Sequence, residues 1–426
     1  MSIRQLYLFT LLGCAAGQAP GAWAQSAPPS PPTLTLVQAL TAARDNSDVA
    51  LARHALAATR ADVLAADHAP APVLSAKAAS IDLQNGVGAG NVLTRKRIDK
   101  SIGIDWTWER GNKRALRTLA AQRQADATQS DVQEMQTQQL QAALAAYYEL
   151  LAAQERLSET RAIERGMAEL DRVAGLRVKA GDLARQDAAR TRIEAERARS
   201  DTQLAELAHE QAALALARLT ARGPGLDACA CDWPARIEGP APGGDLLSWA
   251  EQRADVLAAL ARVQAAQAGL DNAMALRQAD VTIGASYDHY PGTSTRLVEL
   301  RAQMPLHWGY RFDGEIGRAQ AELSAAQEAL DKTRRLALLD LQSLQQQAAT
   351  AAKRAAGYEG GILPRAREVA QSAELAYTRG AISLTDLLDA RRTLRATLLE
   401  ALAARTDYAK AQGSWLLRTQ PQTLLP

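Results

Sequence analysis

The stretch AYTRGAISLTDLLDARRTL, Ala376 to Leu394, has a near double in LRVKAGDLARQDAARTRIE, Leu176 to Glu194. Laid glycine on glycine, Gly380 falls on Gly181, Asp386 on Asp187 and Arg391 on Arg192, an offset of about 200 residues. Each copy has the form of a helix, a break at the glycine and a second helix with an acid just past the break. The offset recurs elsewhere: Asp48-Val49 pairs with Asp255-Val256, and Gly111 with Gly314. Each copy therefore reads helix, strand, strand, very long helix, break, helix. The expected boundaries are a first repeat at 34–221, a Gly/Pro-rich linker at 222–245, a second repeat at 246–418 and a tail at 419–426.

The composition agrees with long helices. Alanine, leucine, glutamine, arginine and glutamate dominate, and aromatic residues make up only 4% of the 426 residues. From Arg114 to about Ala180 there is no proline and little glycine, so a helix of about 65 residues would span roughly 100 Å. Leu140, Leu144, Tyr147 and Leu151 form a seam on it, and Leu387, Leu394, Leu398 and Ala401 form another near the C-terminus. Such a helix far exceeds the thickness of a bilayer and must project from it. In the second copy, GYEGGILP (Gly357 to Pro364) interrupts the long helix, which predicts a kink or short irregular belt. The net charge of +2, with both signs interspersed, leaves no nucleic-acid footprint.

Residues 1–24 have the form of a secretory signal: Arg4, an apolar run and Ala22 and Ala24 at peptidase spacing. LLGC also resembles a lipobox, so lipidation at Cys14 is the alternative. Residues 25–33 form a Pro-rich leader. No later run of apolar residues is long enough for a transmembrane helix, so any span must be built of strands.

Candidate strands are present. Residues 101–108, SIGIDWTW, set Ile102, Ile104, Trp106 and Trp108 against Ser101, Gly103, Asp105 and Thr107, a strict period of two. Residues 281–288 set Val281, Ile283, Ala285 and Tyr287 against Thr282, Gly284, Ser286 and Asp288. Residues 298–306 set Val298, Leu300, Ala302, Met304 and Leu306 against Glu299, Arg301 and Gln303, and 73–83 is a weaker fourth strand. One apolar and one polar face describe a water-filled barrel in lipid, with Trp106, Trp108, Tyr287, Tyr290, Trp308 and Tyr310 as interfacial girdles. A soluble sheet with one wet face has the same alternation; the secretory signal favours the barrel. Four strands cannot close a barrel, because membrane barrels begin at about eight strands. An open edge in lipid leaves amides unpaired, so the barrel must be shared among copies of the chain.

The repeat and its motifs resemble the TolC family of outer-membrane efflux channels over about Leu34 to Leu417. The carrying residues are LTLVQALTAARDNSDVALA (34–52), WERGNKRALR (108–117), WGYRFDGEIGRAQ (308–320) and YTRGAISLTDLLDA (377–390). The resemblance implies a homotrimer in which each chain lends four strands to a shared twelve-stranded outer-membrane barrel and its helices to a long periplasmic coiled-coil tunnel. It also implies a periplasmic adaptor and an inner-membrane RND-type pump as partners, and no cofactor. In such proteins the repeated segment forms the periplasmic tip, where Asp386 and Asp389 match an acidic constriction ring. Tyr377 matches a gate tyrosine and Asp187 the acid of the first copy. Where the best-studied member has a gating arginine two residues after the glycine, this chain has Ile382, leaving Arg379, Arg391 and Arg392 as candidate substitutes. The turn ERGNKR is similar to that of the CzcC-like heavy-metal subgroup. Apart from the resemblance, Asp187 and Asp386 also suit the first turn of a helix, where the dipole favours acids.

Other signals point away from catalysis. No H-E-x-x-H and no P-loop occurs, so the chain is not expected to be an enzyme and transport energy must come from a partner. Cys229 and Cys231 form a C-x-C that either binds a metal or closes a local disulfide; with no histidine at ligand spacing it reads as a linker feature. A periplasmic adaptor also carries a helical hairpin, but one hairpin with compact β domains. An envelope coiled coil would lack the amphipathic strands.

Overall fold

The structure is a computed structural model that describes residues 33–86, 89–91, 98–223, 225–240, 245–291 and 293–425. The expected signal segment, Cys14 and the leader up to residue 32 lie outside the described residues. The chain runs β1 (Thr33–Leu34), α1 (Leu36–Arg44), α2 (Ser47–Ala66), β2 (Val73–Ala79), β3 (Asp99–Trp108), α3 (Lys113–Ala180) and α4 (Arg185–Thr220). After β4 (Asp227–Ala228) the order returns as α5 (Leu246–Glu251), α6 (Ala254–Ala275), β5 (Val281–Tyr290), β6 (Ser294–Gln303), α7 (Asp313–Gly357), α8 (Leu363–Thr378) and α9 (Leu384–Thr419).

Local chemistry sets the helix limits. Thr35 and Gln38 close a capping box at the start of α1, and the Asn46 side chain accepts from the Val49 N–H at the start of α2. At the other end, α3 stops at Gly181 with φ +85°, and the break before α9 holds Gly380 at φ +73°. Both angles are left-handed and favour glycine, which is why the two copies align on these residues. Between its limits α3 runs 68 residues, about 100 Å at the α-helical rise. Among the described residues no helix is long and apolar enough to cross a membrane.

Midway along the second copy, Tyr358–Ile362 form a π-helical turn between α7 and α8. Pro364 has no amide hydrogen to return to Gly360, and the ladder shifts by one residue, with the Leu363 N–H donating to the Tyr358 carbonyl. The expected interruption is therefore a register shift within a helix that continues.

The main core gathers Leu34, Leu36 and Leu40, the α3 seam of Leu140, Leu144, Tyr147 and Leu151, Leu216 from α4, and Ala409 and Leu417 from α9. Here α9 approaches α3 closely at Gly413. A Cβ at that position would collide with the Leu144 side chain, whose Cδ2 would lie 2.9 Å away. Leu144 is fully buried and cannot retreat. Gly413→Val is therefore expected to destabilise the chain by about 1–3 kcal/mol, read as a lowered thermal midpoint. An unchanged midpoint would show that the two helices have room to separate.

The strands form one antiparallel sheet in the order β2-β3-β5-β6. Its register runs Leu74, Ile104, Ala285, Leu300 along one row and Ser75, Gly103, Ser286, Glu299 along the next. Apolar and polar rows thus fall on opposite faces. On the polar face, Arg301 donates to both carboxylate oxygens of Asp105 at 2.8 and 2.5 Å, across Gly284 in the strand between them. β3 starts two residues earlier than expected, β5 ends two residues later and β6 starts four residues earlier, while two strands stop short of the expected end. β2 ends at Ala79 because Ser80 turns to φ +60°, and β6 ends at Gln303 because Pro305 has no N–H to give the ladder.

Residues 225–240 of the linker are more ordered than their composition implies. β1 and β4 pair in parallel, Thr33 with Asp227 and Leu34 with Ala228, tying the start of the first copy to the linker. Residues 225–240 continue as a strap over α3 and α9. Tyr148 O–H donates to the Asp232 carbonyl at 3.3 Å, Trp233 stacks on Tyr148, and Arg405 lies over the Trp233 ring at 4.5 Å. Farther along, the Glu238 N–H donates to Tyr408 Oη at 2.9 Å.

Candidate functional site

The breaks at Gly181 and Gly380 fold α3 back into α4 and α8 back into α9, and the two hairpins meet along their tips. Beneath the turns an apolar cluster joins Met167 and Ala198 of the first hairpin to Leu384, Leu387 and Leu388 of the second. Tyr377 and Ile382 pack against that cluster, so Ile382 contributes to packing where an arginine was to be looked for.

Asp386 is the third residue of α9. Its carboxylate accepts from the Ser383 hydroxyl at 2.7 Å and the Ser383 N–H at 3.1 Å, while Ser383 Oγ accepts from the Asp386 N–H. The Ser383 hydroxyl and then its N–H hold the Asp386 carboxyl below the usual aspartate range. It is exposed and charged throughout the neutral range. Asp389 is exposed one turn on, with Arg392 Nη1 at 3.1 Å. Asp187 is the third residue of α4, half-buried, with Arg190 at 3.7 Å. Both Asp187 and Asp386 thus occupy first-turn positions suited to the helix dipole.

Links across the two hairpins surround these acids. Arg177 donates to Tyr377 Oη at 3.3 Å and lies 5.6 Å from its ring centroid. Arg190 donates to Thr385 Oγ1 at 3.3 Å. Arg392 spans the hairpins, bonding Glu194 at 2.7 Å with one nitrogen and Asp389 with the other. Arg391 bonds Glu374 at 2.8 Å within its own hairpin and reaches the Gly166 carbonyl at 3.5 Å. Arg395 pairs with Asp201. Of the three arginines considered from sequence, Arg392 and Arg391 cross between hairpins, and Arg379 takes part in none of these links. Glu194, whose side chain is 9% exposed, is held below the ordinary glutamate range by its bond to Arg392, against the opposing effect of burial, and by the charges of Arg392 and Arg197.

Arg177, Arg190, Glu194, Asp201 and Arg395 were not legible as site residues. A signal did exist: the partners in Arg177–Tyr377, Glu194–Arg392 and Asp201–Arg395 are 200, 198 and 194 residues apart, close to the repeat offset.

At the sheet, Trp106, Trp108, Trp308 and Tyr310 are exposed at the strand ends from which the helices leave, while Tyr287 is exposed toward the far end, opposite Ile102. The Tyr310 hydroxyl donates to the Glu315 carboxylate at 2.5 Å. From Ile102 to Trp108 the strand advances about 20 Å, comparable to the apolar band of a membrane barrel. In the strap, Cys229 and Cys231 are joined in a disulfide.

Solved structures share this architecture. A membrane protein from Pseudomonas aeruginosa matches with a TM-score of 0.76 at 18% identity, covering 90% of this chain and 93% of that one. The outer membrane protein VceC from Vibrio cholerae matches with a TM-score of 0.72 at 17% identity, covering 90% and 95%. The CmeC outer membrane channel of Campylobacter jejuni matches with a TM-score of 0.73 at 14% identity, covering 90% and 85%. At these identities the likeness is one of fold, and the chain has that fold: mainly α, with long antiparallel helices and a four-stranded antiparallel sheet. No curated protein matches the chain. The family model described as "Outer membrane efflux protein" matches residues 248–414, which run from within α5 to within α9.

Proposed function

We infer that the protein is the outer-membrane exit duct of a tripartite efflux system: a passive channel, not an enzyme, that conducts solutes from the periplasm to the exterior. The observation that carries this reading is the four-stranded sheet, apolar on one face and polar on the other, with β2 and β6 as edges that no strand among the described residues covers. In lipid each edge would leave its amides unpaired at several kcal/mol per group. Three copies joined edge to edge make a twelve-stranded barrel without edges, seated in the outer membrane of a Gram-negative cell. Helices of about 100 Å then project into the periplasm as a tunnel. The chain has no nucleotide-binding motif, so an inner-membrane RND-type pump and a periplasmic adaptor supply energy and connection.

Threefold symmetry brings Asp386 and Asp389 of each chain near their copies at the axis, where they form a cation-attracting constriction. Tyr377, Asp187 and the cross-hairpin links support the closed tip. The ERGNKR turn favours heavy-metal cations as cargo over drugs. The adaptor alternative is disfavoured because both the strand pair and the helical hairpin occur twice.

Two measurements test this reading. The detergent-solubilised complex is expected to have the mass of three chains. Asp386→Ala with Asp389→Ala is expected to shift the reversal potential toward lower cation preference in planar bilayers and to relieve block by divalent ions. Unchanged selectivity in the double variant would remove these acids from the constriction, and a monomer without pore activity would remove the duct itself.

A further inference from the structure

The strap carries chemistry that a duct does not need. Cys229, Cys231 and Asp232 are the one group of three candidate metal-ligating side chains among the described residues, with their sulfur and oxygen atoms all within 4.8 Å of one another. We propose that reduction of the Cys229–Cys231 disulfide opens a site for one thiophilic d10 cation, bound by the two thiolates and Asp232.

The carboxylate is already aimed. Asp232 Oδ2 accepts from the Leu36 N–H at 2.8 Å and from the Tyr147 hydroxyl, which fixes the group and leaves Oδ1 3.9 Å from Cys231 Sγ. The backbone around the sulfurs is held by contacts that do not involve them. The Cys229 N–H donates to the Leu34 carbonyl at 3.0 Å, the Ala228 N–H donates to Gln154 Oε1 at 2.9 Å, and Trp233 is buried. Opening the sulfur–sulfur bond therefore leaves the two Cα atoms near their present spacing of 5.2 Å. Two thiolates on one tetrahedral ion, each about 2.3 Å from it, stand just under 4 Å apart, which this spacing accommodates. Cys231 is exposed while Cys229 and Asp232 are half-buried, so both a reductant and an ion reach the site and a water can fill the fourth position.

The chemistry balances with a dithiol as reductant. Its two thiols give two electrons and two protons to the Cys229–Cys231 bond and close into their own cyclic disulfide. The cation then displaces the two thiol protons as two metal–sulfur bonds form. Soft ions favour this set because two of its three donors are thiolates. The site is thereby closed in oxidising surroundings and opened by reduction.

The test titrates Cd2+ into the detergent-purified complex before and after treatment with dithiothreitol and its removal under argon. Sulfur-to-cadmium charge-transfer absorbance and iodoacetamide labelling are the readouts. One Cd2+ per chain is expected after reduction and none before it, with both thiols protected from alkylation by the ion. The band is expected to be lost in Cys229→Ser with Cys231→Ser, which retains any other cysteine present. A reduced protein that gives no more signal than this double variant would overturn the proposal. So would an oxidised protein that binds Cd2+ as tightly as the reduced one. The comparison of oxidised with reduced native protein stands even if the double variant folds poorly.

Discussion

Leu300→Arg is expected to abolish pore formation, while Glu299→Arg, one residue away, leaves it intact. Leu300 is 79% exposed in the isolated chain and lies in the apolar row with Ile104 and Ala285, midway along the strands. An arginine on the lipid face at this depth costs about 2–4 kcal/mol per chain, and a threefold barrel incurs that cost three times. The sum, about 6–12 kcal/mol, is comparable to the whole stability of an ordinary domain. Glu299 lies on the opposite face, in the polar row with Gly103 and Ser286, where a charge meets water. The measurement is the yield of conducting trimer reconstituted into liposomes. If Leu300→Arg inserted as well as the native chain, the exposed apolar face would be facing solvent rather than lipid, because an arginine at an exposed soluble position is nearly neutral.

Removing the arginines that lace the tip is expected to raise conductance several-fold. Arg391→Ala, Arg392→Ala and Arg395→Ala together delete the bonds to Glu374, Glu194, Asp389 and Asp201. Arg392 is about half exposed, so each link is worth at most about 1 kcal/mol after solvent screening. The contributions of the three arginines together come to roughly 2–3 kcal/mol, which changes a closed-to-open ratio by about thirty- to a hundred-and-fifty-fold. The pH dependence has a definite sign. Glu194 is held below its ordinary value of 4.5, so its link is fully present above that pH and is lost as pH falls through the depressed value. Native conductance is therefore expected to be flat through the neutral range and to rise only in acid. A triple variant with native conductance would mean that the links brace the hairpins without holding the tunnel shut.

Much of this architecture is legible in the sequence because local rules decide it. Strict alternation at residues 101–108 can satisfy a sheet with one apolar face and little else, and the cross-strand register aligns the faces as the alternation requires. The proline-free run from Arg114 has nothing to end it before Gly181, where a left-handed residue is needed. The strap is less legible. The β1–β4 pairing and the capture of Asp232 by Tyr147 and Leu36 depend on contacts up to 196 residues apart, and a Gly/Pro-rich stretch gives no periodicity from which to infer them. The lacing of the tip is an intermediate case. Equivalent levels of the two copies pack side by side, so partners lie about one repeat apart, as Glu194 and Arg392 do. The offset can be read from the glycines, but not the helix face that each charged residue presents. Ile382 shows the cost of reasoning from one position: its place in the apolar cluster becomes clear only when Met167 and Leu387 are seen beside it.

Single-channel recording of the detergent-purified protein in a planar bilayer, with divalent cations titrated on the side facing the helical tip, tests the exit-duct reading most directly. Discrete cation-selective openings that the divalent ions block from that side are the predicted result. A protein that stays soluble without detergent and adds no conductance to the bilayer would contradict the account and return the four strands to a soluble sheet.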